Sequence, residues 1–202
     1  MKKLLLAAAL AASFITVNAN AAIKIGGVSI EQSAPADGVP LWINGAGLVT
    51  LAGHRLAAAL YVPQNTTSNS DIMTAHMKEL RLIPLKPIGG AQLGLAIDAL
   101  VKKGVSAAQY KQYQPDLAKM QDMFKSVKTI AAGETVSLRF FSKQGTYVMV
   151  PSGLKMAPIG GPELFDSIAR SLPASVINSA AVQRQNHPTA DCLGCAKSEK
   201  AL

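Results

Sequence analysis

Runs of alternating and of helically spaced apolar residues divide this chain into short segments. The apolar stretch from Ile23 to Ile30 predicts a first strand. Pro35-Ala-Asp-Gly38 supplies a turn, because proline presets φ and glycine accepts a positive one. Leu41 to Asn44 predicts a strand, Asn44-Gly45 a hairpin corner, and Gly47 to Leu51 the returning strand. Residues 55–62 fit two states. The run Ala57-Ala58-Ala59 favours helix by propensity, while the short length, the flanking Gly53 and Pro63 and the Leu-Tyr-Val ending suit a buried strand. Residues 63–70 read as a polar loop, with Asn69 or Ser70 capping a short helix over 71–78. From Glu79 to Lys86 the pattern alternates again. Leu80, Leu82 and Pro84 fall on one side, Arg81 and Ile83 on the other, and Pro84 suggests an edge strand or a strand end.

The period then lengthens. Ala91 to Lys103 predicts a helix stopped by a left-handed Gly104. Ser106 and Gln109 form a capping box for the next helix, which Pro115 is expected to break and restart. Leu117, Met120, Phe124 and Val127 recur at three and four residues, opposite Lys119, Lys125 and Lys128, so this segment is amphipathic. The Met120–Phe124 stripe suits a core face, or the wall of an adaptable pocket. Val136, Leu138 and Phe140 alternate with Ser137 and Arg139 in a strand over 134–142. Thr146–Val150 and Leu154–Ile159 complete a three-strand meander. Helices follow over 162–172 and 174–184, and the polar stretch 185–202 reads as a disordered tail. Strands, helices, strands, helices in that order, without repeats, predict one α+β domain with antiparallel hairpins and helices gathered on one face.

The first residues change the cellular picture. Lys2 and Lys3 precede an apolar run of 12 residues, Leu4 to Ile15, and then Ala19-Asn20-Ala21. That is a secretory leader with cleavage expected after Ala21. The run is shorter than the roughly 20 residues a spanning helix needs. The expected product is a periplasmic or secreted domain over residues 22–184 with a tail over 185–202. The formal charge of +8 falls to +6 once Lys2 and Lys3 are removed. The remaining basic residues are scattered rather than massed in a stripe, which argues against a nucleic-acid partner.

The two cysteines lie at Cys192 and Cys195. In an oxidising compartment a local disulfide is the default. His187 and Asp191 stand nearby, but the spacing matches no structural zinc pattern. Haem attachment would require His where Ala196 stands. No Gly-x-Ser-x-Gly elbow and no phosphate-cradling glycine loop occurs. No cofactor is expected. His76 falls on a polar segment and reads as surface.

Several segments together resemble the bacterial exported members of the chalcone isomerase-like family. They are Trp42-Ile-Asn44-Gly45-Ala46-Gly47-Leu48, Ala58-Ala-Leu60-Tyr61-Val62, Leu80 to Lys86, Gly133-Glu134 with Gly145-Thr146, and Leu164-Phe165-Asp166-Ser167-Ile168. The resemblance spans roughly residues 38–184. It implies an open-faced β-sandwich, a large antiparallel sheet covered by a layer of helices, with a ligand cleft between. Plant members of the family cyclise chalcones and related members bind fatty acids. Ring closure passes through oxyanions, which a fixed cation and hydrogen-bond donors stabilise. Where the family carries its arginine this chain has Val49, and the hydroxyl position of the next strand falls on Leu56. Ser167 matches a hydroxyl position on the closing helix. Arg55, with His54 beside it, could supply a cation from another geometry, and Tyr61 a hydroxyl.

The expected function is therefore a non-catalytic periplasmic domain with a fatty acid or similar apolar ligand bound near Val49, Arg55, Leu56, Tyr61 and Ser167. Two alternatives stay open: an intramolecular lyase or isomerase acting on an unsaturated carbonyl compound, and a protein-interaction module using the Cys192–Cys195 tail.

Overall fold

A computed structural model describes residues 22–63, 68–153 and 157–178. The leader, residues 64–67 and 154–156, most of the last expected helix and the cysteine tail lie outside the described residues.

The chain begins with β1 (Ala22–Ile25) and β2 (Val28–Glu31), a hairpin turning on Gly26 and Gly27 at φ of 60° and 89°. The single strand expected over Ile23–Ile30 is thus two, because the paired glycines adopt the left-handed geometry of a tight turn. β3 (Ser33–Ala36) turns through Asp37-Gly38 into β4, Val39–Leu51, a strand of 13 residues. The corner expected at Asn44-Gly45 is absent. The chain runs on, and the true corner is Ala52-Gly53, with φ of 46° and 82°. Asn44 is instead the extra residue of a bulge, since Ile43 pairs with Tyr61 and Gly45 with Leu60. A bulge reverses which residues face which side. Leu41 and Ile43 therefore face away from the helices, while Val49 and Leu51 face them.

The ambiguous segment is strand β5, His54–Pro63. Leu56, Ala58, Leu60 and Val62 alternate with Ala57, Ala59 and Tyr61, and all are buried. A strand covered on both faces explains why helix and strand periods could not be told apart there. Helix α1 (Asn69–Thr74) is capped by Ser68, not by Asn69 or Ser70. It leads to β6 (Met77–Pro84), an interior strand that Pro84 ends. Helix α2 (Gly90–Gly104) finishes without the left-handed glycine expected at Gly104, and Val105 caps it in extended backbone. Helix α3 (Ala107–Lys125) has the Ser106–Gln109 capping box and runs unbroken through Pro115. Pro115 is exposed, so the carbonyl deprived of a donor one turn earlier can turn to water.

β7 (Val136–Phe141) and β8 (Gly145–Met149) follow. Of the third meander strand, the described part makes a single bridge between Ile159 and Thr146. Helices α4 (Pro162–Arg170) and α5 (Ala174–Ile177) close the domain.

Strands β3 to β8 form one antiparallel sheet in sequence order. Leu93, Ile97 and Val101 of α2, Leu117, Met120 and Phe124 of α3, and Leu164, Phe165 and Ile168 of α4 pack on one face of it. The Met120–Phe124 stripe is therefore core. A Cβ on Gly90 would sit 2.4 Å from the carbonyl oxygens of Phe124 and Val127, so glycine there lets α2 and α3 touch. The β1–β2 hairpin packs its isoleucines on the other face, over Ala57, Ala59 and Tyr61. The result is an α+β open-faced sandwich.

Candidate functional site

Val49 and Leu56 are register partners on β4 and β5. Both face the helices, with exposures of 3% and 0%. The Val49 and Leu56 side chains thus form one aliphatic wall. The other candidates lie elsewhere. Alternation along β5 turns Arg55 and Tyr61 to the opposite face, where Arg55 is exposed. The Tyr61 hydroxyl donates to the Glu31 carbonyl at 2.7 Å. Burial, partly offset by the charge of Arg81, pushes the Tyr61 phenol up to about 12. On α4 the Ser167 hydroxyl donates to the Glu163 carbonyl at 2.6 Å, a contact within its own helix. Cys192, Cys195, His187 and Asp191 lie outside the described residues.

Beside the Val49 wall a crevice of about 420 Å³ opens between the end of β4, the last turn of α2 and the α4–α5 link. Its apolar lining comes from Val49, Leu51, Leu100, Leu172 and Pro173; Thr50, Ser171 and Lys103 supply the polar groups. A Cβ on Gly104 would fall 1.8 Å from Ser171 Oγ, so glycine is what lets α2 end against α4 and close this side. The Ser171 hydroxyl donates to the Ser167 carbonyl at 2.7 Å. Among the described residues no carboxylate or imidazole lines the crevice. General acid–base chemistry needs a titrating group within hydrogen-bond reach of its substrate, and among the described lining residues Lys103 is the one such group.

The Asn-Gly-Ala-Gly segment has a structural task beside this crevice. Asn44, 3% exposed, donates its side-chain amide to the Ile177 carbonyl. A Cβ on Gly45 would stand 2.6 Å from the Val176 carbonyl oxygen, and one on Gly47 2.8 Å from Ser175 Oγ. The two glycines and the bulge make a seat on which α5 rests directly against the strand.

The far face of the sheet carries charge. Glu79, fully buried, accepts from Arg81 Nε at 2.8 Å, Arg139 Nη2 at 2.8 Å and the Ser137 hydroxyl at 2.8 Å. Burial alone would raise its carboxyl. The Arg81 and Arg139 charges, with hydrogen bonds from Arg81 and Ser137, outweigh that and hold it below its ordinary value. The Arg81 guanidinium also lies 4.7 Å from the Tyr61 ring centre. On the helix side the buried Lys78 pairs with Asp166, donates to the Met73 carbonyl at 2.8 Å and lies 4.9 Å from the Phe140 ring centre. It ties α1, β6 and α4 together. Sequence reading missed both clusters, although the polar positions of Lys78-Glu79-Leu80-Arg81 already placed Glu79 and Arg81 on one strand face.

A second depression of about 480 Å³ lies at another part of the sheet, over Val39, Pro63, Met77 and Phe141, with His76 and Lys143 among its lining residues. Asp71, also in its lining, caps the backbone N–H of Ser68. Among the described residues no group of three His, Cys, Asp or Glu side chains could hold a metal ion, and no helix is long and apolar enough to cross a membrane.

A helix-covered antiparallel sheet with an apolar crevice at the cover's edge defines a small α+β sandwich with a lateral pocket. The chain belongs to the chalcone isomerase-like family, whose model matches residues 22–170. No curated protein matches it. The seat for α5 is shared between the matched region, which holds Asn44, Gly45 and Gly47, and residues beyond it.

Proposed function

We propose that this protein is an exported, non-catalytic chalcone isomerase-like domain that holds a small apolar ligand in the crevice beside Val49. The leader pattern of residues 1–21 supports export to the periplasm. The observation that carries the binding reading is the apolar wall of the crevice, made by Val49, Leu51, Leu100, Leu172 and Pro173, with Val49 standing where the resemblance puts the cation of the family's oxyanion chemistry. Such a wall suits the tail of a ligand and cannot stabilise a developing oxyanion. A volume of about 420 Å³ falls at the small end of ligand sites, which run from about 300 to 1,000 Å³.

The test is native mass spectrometry of the purified protein, before and after equilibration with decanoate, alongside a cyclisation assay on a chalcone. The proposal predicts one retained small molecule per chain, lost when Leu100→Trp fills the crevice, and no cyclisation. A clean unliganded mass under both conditions contradicts it, and turnover of the chalcone would move the assignment to the isomerase.

A further inference from the structure

We infer that Lys103 is the anchor of this crevice for an anionic headgroup, so that a guest sits with its charged head outward. The inference rests on the reading of the crevice as a ligand site. Among the described residues, Lys103 is the one charged residue in the lining. It is exposed and makes no hydrogen bond or ion pair among the described residues. Among the described residues, the elements around it offer no competing carboxylate. Strands β4 and β5 and helix α5 contain no acidic residue. On α2 the single acid is Asp98, which accepts from the Tyr110 hydroxyl at 3.0 Å. On α4 Asp166 is paired with Lys78, and Glu163 lies in the first turn, at the end away from Ser171. The neighbouring Lys102 is turned toward α3, 5.7 Å from the Tyr110 ring centre.

Polarity then fixes the orientation of the guest. The floor is Val49, Leu51, Leu100 and Leu172, where a charge would lose its hydration without gaining a partner. The cation stands at the exposed rim. An apolar tail is accommodated inward and an anion outward, the reverse of a pocket with its cation at position 49. The contact of Gly104 with Ser171 fixes the backbone next to Lys103, so the amine moves only on its own side chain. The competing account is that Lys103 only complements the carbonyl end of α2, as basic residues in a last turn commonly do.

Calorimetric titration with decanoate and with decanol separates these accounts, using the wild-type protein, Lys103→Gln, Lys103→Arg, Lys102→Gln and Leu100→Trp. The inference predicts that decanoate binds about two- to five-fold more tightly than decanol, the range of an ion pair exposed to water. Added salt should shrink this margin. Lys103→Gln should erase it with decanol affinity unchanged, while Lys103→Arg and Lys102→Gln should keep it. Equal binding of decanoate and decanol to the wild type, or a margin that survives Lys103→Gln, overturns the anchor and leaves the crevice standing. Absence of binding by either probe, or binding that persists in Leu100→Trp, overturns the crevice itself.

Discussion

Strand β5 shows both faces of the sheet in one segment. Toward the helices it presents Leu56, Ala58, Leu60 and Val62, which join side chains from α2, α3 and α4. Away from them it presents Ala57, Ala59 and Tyr61, which lie under a two-stranded hairpin. The helix side coheres largely by apolar area, which is non-directional and scales with what is buried. The far side has less of it, because alanines have little to bury, and directional bonds around Glu79, Arg81, Arg139 and Tyr61 add to its cohesion. The difference teaches which side accepts substitution. A wall held by area accepts other aliphatic side chains of similar volume, whereas a cluster held by charge geometry tolerates few replacements.

The largest effect that would sharpen this contrast is expected at Glu79. Glu79→Ala leaves two guanidinium groups without their buried counter-charge and should cost about 3–5 kcal/mol in urea unfolding. A loss below about 1 kcal/mol would show that the far face coheres by area after all. The same carboxylate sets an acid response. Its folded pKa is depressed, so its contribution is present above the ordinary value of 4.5 and is lost as pH falls through the lower folded value. Stability should therefore decline below about pH 4.5, and Glu79→Gln should flatten that slope while variants at Val49 or Leu56 leave it intact.

A smaller loss is expected on the helix side at Gly45→Ala. The added Cβ would press on the Val176 carbonyl, and overpacking of this kind costs about 1–3 kcal/mol. Hydrogen exchange should rise at Val176 and Asn178 more than in β7. The smallest effect is Tyr61→Phe, which removes the bond to the Glu31 carbonyl and should cost about 1 kcal/mol. In the wild type the folded phenol ionises near 12 rather than at the ordinary 10.0. Between those values the unfolded chain loses its proton and the folded chain keeps it, so stability should fall across that window. Absorbance of the tyrosinate against pH reports the same shift.

Much of this architecture was legible in the pattern of the chain. The faces of β6 and β7 follow the alternation of Leu80, Leu82, Val136 and Leu138, and the Ser106–Gln109 box starts α3 where it was expected. Three local signals misled because tertiary context overrode them. Asn44-Gly45 has the composition of a corner, yet its glycine serves close approach by α5. Pro115 would break an isolated helix, but it lies on an exposed face. Gly104 reads as a stop signal and works instead as a contact with Ser171. Of the two positions singled out through the resemblance, Val49 lines the crevice, whereas Leu56 is fully buried and does not. Lys103 was not legible in the sequence. It belongs to the polar side of a helix, and only the end of α4 folding back beside it turns that position into the rim of a pocket.

The central claim is that the ligand site lies at the crevice beside Val49. Backbone amide chemical shifts recorded during titration with decanoate test it most directly. The account predicts saturable shifts clustered at Val49 to Leu51, Lys103, Gly104, Ser171 and Leu172. Shifts confined to Val39, Met77 and Phe141, or no shifts at all, would contradict it.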